Sequence, residues 1–125
     1  MACEYREFAD DKIVEIVVDG KVTEADLHRI TEGMERFIEA HGRIKILEII
    51  HSFSGVELSI LGKGIQFDMK HMKDFSHCAV VTDSGWIGPF TRMLAPFFSI
   101  EIRTFRLDEK EKALIWLKQA QTKVA

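Results

Sequence analysis

Two hydrophobic periods alternate along the chain. Short runs rich in β-branched residues predict strands at 4–8, 13–18, 44–50, 78–81 and 100–105. Longer stretches, in which apolar residues recur every three or four positions, predict helices at about 24–41, 58–75 and 86–98 and from 108 onward. The resulting order, ββαβαβαβα, is typical of an α/β fold. We expect a mixed, mostly parallel five-stranded sheet with helices packed on its faces and an antiparallel hairpin at one edge.

Turn and capping residues give the predicted boundaries. Thr23, followed three residues later by Asp26, resembles a capping box at the start of the first helix, and Gly42 ends that helix. The dipeptide Asp19-Gly20 predicts a turn after the second strand, and Ser54-Gly55 predicts one after the third.

Composition narrows the classes of protein to which the chain belongs. With 125 residues, 46% hydrophobic and 30% charged, and without a linker-like tract, residues 1–125 are expected to form a single domain. The net charge of −3 argues against a nucleic-acid partner. Two cysteines do not make a disulfide scaffold, and neither a signal peptide nor an apolar stretch long enough to span a bilayer is present. We therefore expect a cytoplasmic protein.

The order of these elements resembles the STAS domain of bacterial anti-sigma-factor antagonists, and more closely the SpoIIAA-like, STAS/SEC14-like branch, most of whose members have no assigned function. The resemblance spans nearly the whole chain and implies a SpoIIAA-like fold with a binding or regulatory role. It is carried by the order and spacing of several short motifs: Val18-Asp19-Gly20, Val22-Thr23-Glu24-Ala25-Asp26, Phe53-Ser54-Gly55, Phe75, Ala79-Val80-Val81, Trp86, Phe105, Ala113 and Trp116-Leu117.

The same resemblance raises the question of a phosphorylation switch at Ser54. Phospho-regulated STAS domains carry an Asp-Ser-Ser-Gly or similar turn after the corresponding strand, with the modified serine at a helix N-terminus. This chain has the segment 51–55, His-Ser-Phe-Ser-Gly, which lacks the aspartate and has one serine directly before the glycine. That departure argues against phosphorylation, and the alternative is that Ser54 simply belongs to a turn.

No constellation of residues predicts catalysis, a metal site or a cofactor. The five histidines show no metal-binding spacing, and no Gly-x-Ser-x-Gly motif is present. Gly62-Lys63-Gly64 matches neither a Walker loop nor a dinucleotide fingerprint. We therefore expect a protein that is not an enzyme.

Two segments, 58–75 and 85–100, carry more apolar residues than the single core-facing stripe of an ordinary surface helix. In 85–100 the apolar arc is about 140° wide, and the second predicted helix has apolar residues on opposite sides. A hydrophobic pocket between the two predicted helices is one interpretation, and an ordinary share of the core is the other. The pocket candidates are Ile60, Phe67, Met69, Met72, Trp86, Phe90, Met93 and Phe97. The candidates for an anionic head group are Lys63, Lys70, His71, Lys73 and Arg92, whose alternative is a solvated face.

The leading hypothesis is a non-enzymatic module that binds a small hydrophobic or lipid-like ligand between the second and third predicted helices. Peripheral association with the inner face of the membrane belongs to the same hypothesis. The alternatives are a protein-interaction switch, in which the turn at 52–55 docks a regulatory partner, and a homodimer formed through the apolar segment 85–100.

Overall fold

A computed structural model describes residues 3–56, 72–83 and 100–120. Short 3-10 turns lie at Ala9–Asp11, Met72–Asp74 and Leu107–Glu109. The strands and helices in these ranges are β1 (Cys3–Phe8), β2 (Ile13–Val22), α1 (Glu24–His41), β3 (Ile44–Val56), β4 (Phe75–Thr82), β5 (Glu101–Phe105) and α2 (Lys110–Gln119).

The five strands form one sheet in the order β1-β2-β3-β4-β5. β1 pairs with β2 in antiparallel orientation, and the other neighbours are parallel. The hairpin between β1 and β2 passes through the 3-10 turn and Lys12, whose φ of 57° is left-handed. The predicted α/β architecture, a mostly parallel sheet with an antiparallel edge, is therefore confirmed.

Both faces of the sheet are covered, which explains why the central strands are almost continuously apolar. Successive residues of a strand point to opposite faces, so β2 contributes Val14, Ile16 and Val18 to the α1 side and Ile13 to the α2 side. On the α1 side these residues pack with Ile30, Met34, Phe37, Ile44, Phe75 and Val80. On the α2 side the buried core consists of Ile13, Leu47, Ile49, Ala79, Val81, Ala113 and Leu117.

Helix α1 begins and ends where the sequence predicts. The Thr23 hydroxyl accepts a hydrogen bond from the Asp26 backbone N–H at 3.1 Å, and the Asp26 carboxylate accepts one from the Thr23 backbone N–H at 3.0 Å. This is a complete capping box. At the other end Gly42, with a φ of 78°, donates its backbone N–H to the Ile38 carbonyl.

The turns predicted at Asp19-Gly20 and Ser54-Gly55 are wrong, because β2 and β3 continue to pair beyond them as far as Val22 and Val56. The pairing register skips His51 and Ser54, so β3 carries an extra residue at each of two irregularities. Gly20 has a φ of 114°, a conformation that favours glycine, and the second irregularity lies between Gly20 and Lys21. Ser54 therefore lies within a strand rather than in a turn that leads into a helix.

The second predicted helix does not extend to Phe75. Residues Met72–Asp74 form a 3-10 turn, and Phe75 is the first residue of β4, where it pairs with Ile44. Phe75 is only 2% exposed, so its burial in the sheet core outweighs the helical spacing that included it in the second helix. At β5 the strand begins at Glu101 and excludes Ile100.

Two buried charges on the sheet hold α2 at its ends. The Lys45 ammonium on β3 donates a hydrogen bond to the Leu117 carbonyl, in the last turn of α2, at 2.7 Å. The buried Glu15 carboxylate on β2 lies 3.3 Å from the Lys110 ammonium, in the first turn. A cation near the C-terminus of a helix is favoured by the helix dipole. Burial lowers the pKa of Lys45 below its ordinary value.

Gly33 allows α1 to approach the ring of Tyr5 on β1. A Cβ atom at position 33 would lie 2.8 Å from Tyr5 Cζ, closer than atoms can pack. We expect Gly33→Ala to lower the free energy of unfolding by about 1 kcal/mol, although alanine is intrinsically the better helix former. In a Tyr5→Leu background the same change should instead raise it by about 1 kcal/mol. Urea denaturation of the four variants measures both effects, and equal effects in the two backgrounds would contradict this packing argument.

Candidate functional site

A cavity of about 240 Å³ lies between α1 and the sheet. Its floor is formed by residues of four strands, and its roof is formed by α1. The lining residues are Cys3, Ile16, Val18, Val22, Leu27, Ile30, Thr31, Met34, Ile46, Glu48 and Phe75.

The roof is a single stripe of α1. Leu27, Ile30, Thr31 and Met34 are spaced by three or four residues and therefore face the same side of the helix. Ile30 and Met34 are buried, whereas Leu27 and Thr31 are half-buried. The Thr31 hydroxyl donates to the His28 carbonyl at 3.2 Å, so this polar group is satisfied within the helix. The roof thus presents mainly aliphatic and thioether surface.

Among the described residues that line this cavity, the charged one is Glu48. It is half-buried on β3 and faces α1, with Ile16 of β2 and Val80 of β4 directly beside it in the register. Both neighbours are buried.

Cys3 lies in the wall of the cavity and is 1% exposed, and the pKa of its thiol depends on the charges around it. Burial raises the pKa of the Cys3 thiol, and the negative charges of Asp26 and Glu48 raise it further, while Arg29 acts in the opposite direction. Arg29 donates to the Cys3 carbonyl at 2.6 Å and lies 3.4 Å from Asp26. The two carboxylates therefore raise the pKa of the thiol, and the guanidinium lowers it.

Most of the site residues predicted from sequence lie outside the described residues: Ile60, Phe67, Met69, Trp86, Phe90, Met93, Phe97, Lys63, Lys70, His71 and Arg92. The predicted pocket between the second and third helices therefore stays a prediction. Lys73 is exposed in the turn before β4 and does not line the cavity. Met72 begins that turn, and Ser54 lies in β3.

Sequence reasoning missed the cavity under α1. One signal was present, because Lys45 and Glu48 interrupt an otherwise apolar strand. Alternation along the strand sends Lys45 to the α2 side and Glu48 to the α1 side. Only the tertiary structure shows that Lys45 meets a helix terminus whereas Glu48 borders a cavity.

Within the ranges 3–56, 72–83 and 100–120, no group of three histidine, cysteine, aspartate or glutamate side chains is arranged to hold a metal ion. In the same ranges no helix combines the length and apolar character that crossing a membrane requires.

The raised pKa of Cys3 predicts how stability depends on pH. In the unfolded chain the thiol ionises near pH 9.0, whereas the folded protein retains the proton to higher pH. The stabilising contribution is therefore complete below about pH 9 and is lost as the pH rises through the folded pKa. We expect the free energy of unfolding of the wild type to fall more steeply above pH 9 than that of Cys3→Ala. Between pH 7 and pH 8 the difference between the two proteins should stay constant, and parallel curves at alkaline pH would refute the argument.

Comparison with known proteins agrees with this architecture. No curated protein matches the chain. The chain is similar to an uncharacterized protein of the DUF3478 family from Shewanella loihica PV-4, whose crystal structure has a SpoIIAA-like fold. The two sequences are 26% identical, and the TM-score of the two structures is 0.74. The match covers 93% of this chain and 92% of that one. The SpoIIAA-like family model matches residues 13–118, most of the sheet and both described helices. The chain therefore belongs to the SpoIIAA-like family.

Proposed function

We propose that this SpoIIAA-like domain is a non-enzymatic module that binds a small hydrophobic or lipid-like ligand. The observation that supports the proposal is the cavity of about 240 Å³ between α1 and the sheet, with its mainly apolar lining. An engineered cavity of about 150 Å³ with similar walls holds benzene. The larger volume here suits about six to eight carbon atoms with one polar group.

The lining also suits an adaptable ligand site. Met34 contributes a flexible thioether to the roof, which lets the wall adapt to the shape of a ligand. The second and third predicted helices remain candidates for a further part of the same binding surface. Association with the inner face of a membrane through that surface is the extended form of the proposal.

The first test is native mass spectrometry of the protein purified from its host, followed by denaturation to release a bound passenger. We expect a stoichiometric lipid-like mass. Leu27→Trp fills the cavity from the half-buried part of its roof and should lower the bound fraction at least about tenfold. Leu114→Trp is the matched control, because Leu114 is a partly buried leucine on the α2 side. Circular dichroism of both variants verifies that the fold is retained.

The other outcomes of this experiment contradict the proposal in different ways. A passenger retained by Leu27→Trp would place the ligand outside the cavity. A bare protein whose melting temperature does not rise with millimolar hexanol would exclude an apolar site here. A bare monomer that co-purifies with a regulatory protein would favour the interaction switch, and a bare dimer would favour an interface formed by 85–100.

A further inference from the structure

We propose that β1 is an interface at which two copies of this chain pair edge to edge, in antiparallel orientation, about a two-fold axis at Tyr5. In the part of the chain that the structure describes, β1 lies at one end of the strand order and pairs with β2. The backbone N–H and C=O groups on the outer side of an edge strand can pair with another strand. Pairing two such strands through a two-fold axis joins two five-stranded sheets into one.

The side chains of β1 divide between the two faces of the sheet. Cys3 belongs to the core on the α1 side, and Tyr5 packs against α1. Alternation along the strand places Glu4 and Arg6 on the opposite face. Both are exposed, and the Arg6 side chain retains 66% of its accessible surface although its Nε lies 4.0 Å from the Glu15 carboxylate. Two opposite charges on one exposed face are therefore in position to meet a neighbouring strand.

The spacing of these charges makes β1 complementary to a second copy of itself in one register. A two-fold axis perpendicular to the sheet keeps equivalent faces together and sets the residue on the axis opposite its own copy. With the axis at Tyr5, Glu4 of each copy lies opposite Arg6 of the other. With the axis at Glu4, Arg6 or Glu7, a charged residue lies opposite itself. Opposite charges across two strands stabilise the pair and like charges destabilise it, so the Tyr5 register is favoured.

Tyr5 provides a second contact, on the other face of the joined sheet. In this register its ring lies beside the same ring of the second copy, and aromatic pairs across strands are stabilising. The ring is held in place before pairing, because it packs against Gly33 and its hydroxyl donates to the Glu7 carboxylate at 2.6 Å. A side chain that is already ordered loses little conformational entropy on association.

Sedimentation equilibrium of the full chain, at concentrations up to about 1 mM, measures the association. We expect a monomer–dimer equilibrium whose dissociation constant rises with salt, because the charge pairs are exposed. Glu4→Arg sets an arginine opposite Arg6 twice in each dimer and should raise the dissociation constant at least about tenfold. Glu111→Arg makes the same change of charge at an exposed position of α2 and should leave the constant within about twofold.

Disulfide cross-linking tests the register without relying on charge. The background is Cys3→Ala with Cys78→Ala, which removes both cysteines of the chain. One variant then carries Glu4→Cys and the other Arg6→Cys, so that a mixed dimer keeps one pair of opposite charges. Opposed residues have Cα atoms about 4.5–5.5 Å apart, within the range of a disulfide. We expect the mixture to cross-link and each variant alone not to, because identical positions lie about 8 Å apart in this register.

The position of the cross-link also decides between β1 and the apolar segment 85–100, since a dimer alone fits either interface. A dimer without a cross-link between positions 4 and 6 would overturn the proposal, as would cross-linking of Glu4→Cys with itself. A monomer at every concentration, or an unchanged dissociation constant in Glu4→Arg, would overturn it as well. Circular dichroism verifies that each variant is folded. None of these outcomes bears on the cavity under α1, so the binding proposal is tested separately.

Discussion

The parallel pairing of β2 with β3, buried on both faces, is the constraint on which the rest of the described structure depends. Because these strands lie at the centre of the sheet, each must present apolar side chains to α1 on one side and to α2 on the other. A charged residue buried within them then needs a specific environment, since an isolated buried charge is costly. Lys45 donates to the Leu117 carbonyl in the last turn of α2, Glu15 lies beside Lys110, and Glu48 borders the cavity.

Among the described residues, the two helices are held against the sheet in different ways. On the α2 side, Lys45 and Glu15 hold a short helix at its two ends, and Ala113 and Leu117 of that helix are fully buried against the sheet. On the α1 side, the 18-residue helix is anchored at its N-terminus by the capping box and by Arg29 on the Cys3 carbonyl. Between that anchor and the contact of Gly33 with Tyr5, the helix and sheet leave the cavity open. Our proposal therefore places the ligand on the α1 side of the sheet, where the cavity lies.

The extension of β2 and β3 changes the interpretation of the family's regulatory position. A phosphate at a helix N-terminus is stabilised by free backbone N–H groups. Ser54 instead lies within β3, at the second register irregularity, between Phe53 and Gly55, which both pair with β2. The binding proposal does not depend on this position, because the cavity that supports it lies under α1.

The amino-acid sequence by itself determined the order of elements, the α/β class and the exact limits of α1. These follow from local periodicity and from capping residues that act within a few positions, such as Thr23 with Asp26. Strand ends were misjudged at Gly20, Gly55 and Phe75, because pairing with a distant strand can carry a chain through residues that usually turn it. The cavity was decided by tertiary structure alone. Its described walls come from four strands and one helix, and the space between them depends on how closely distant elements pack, which no local pattern records.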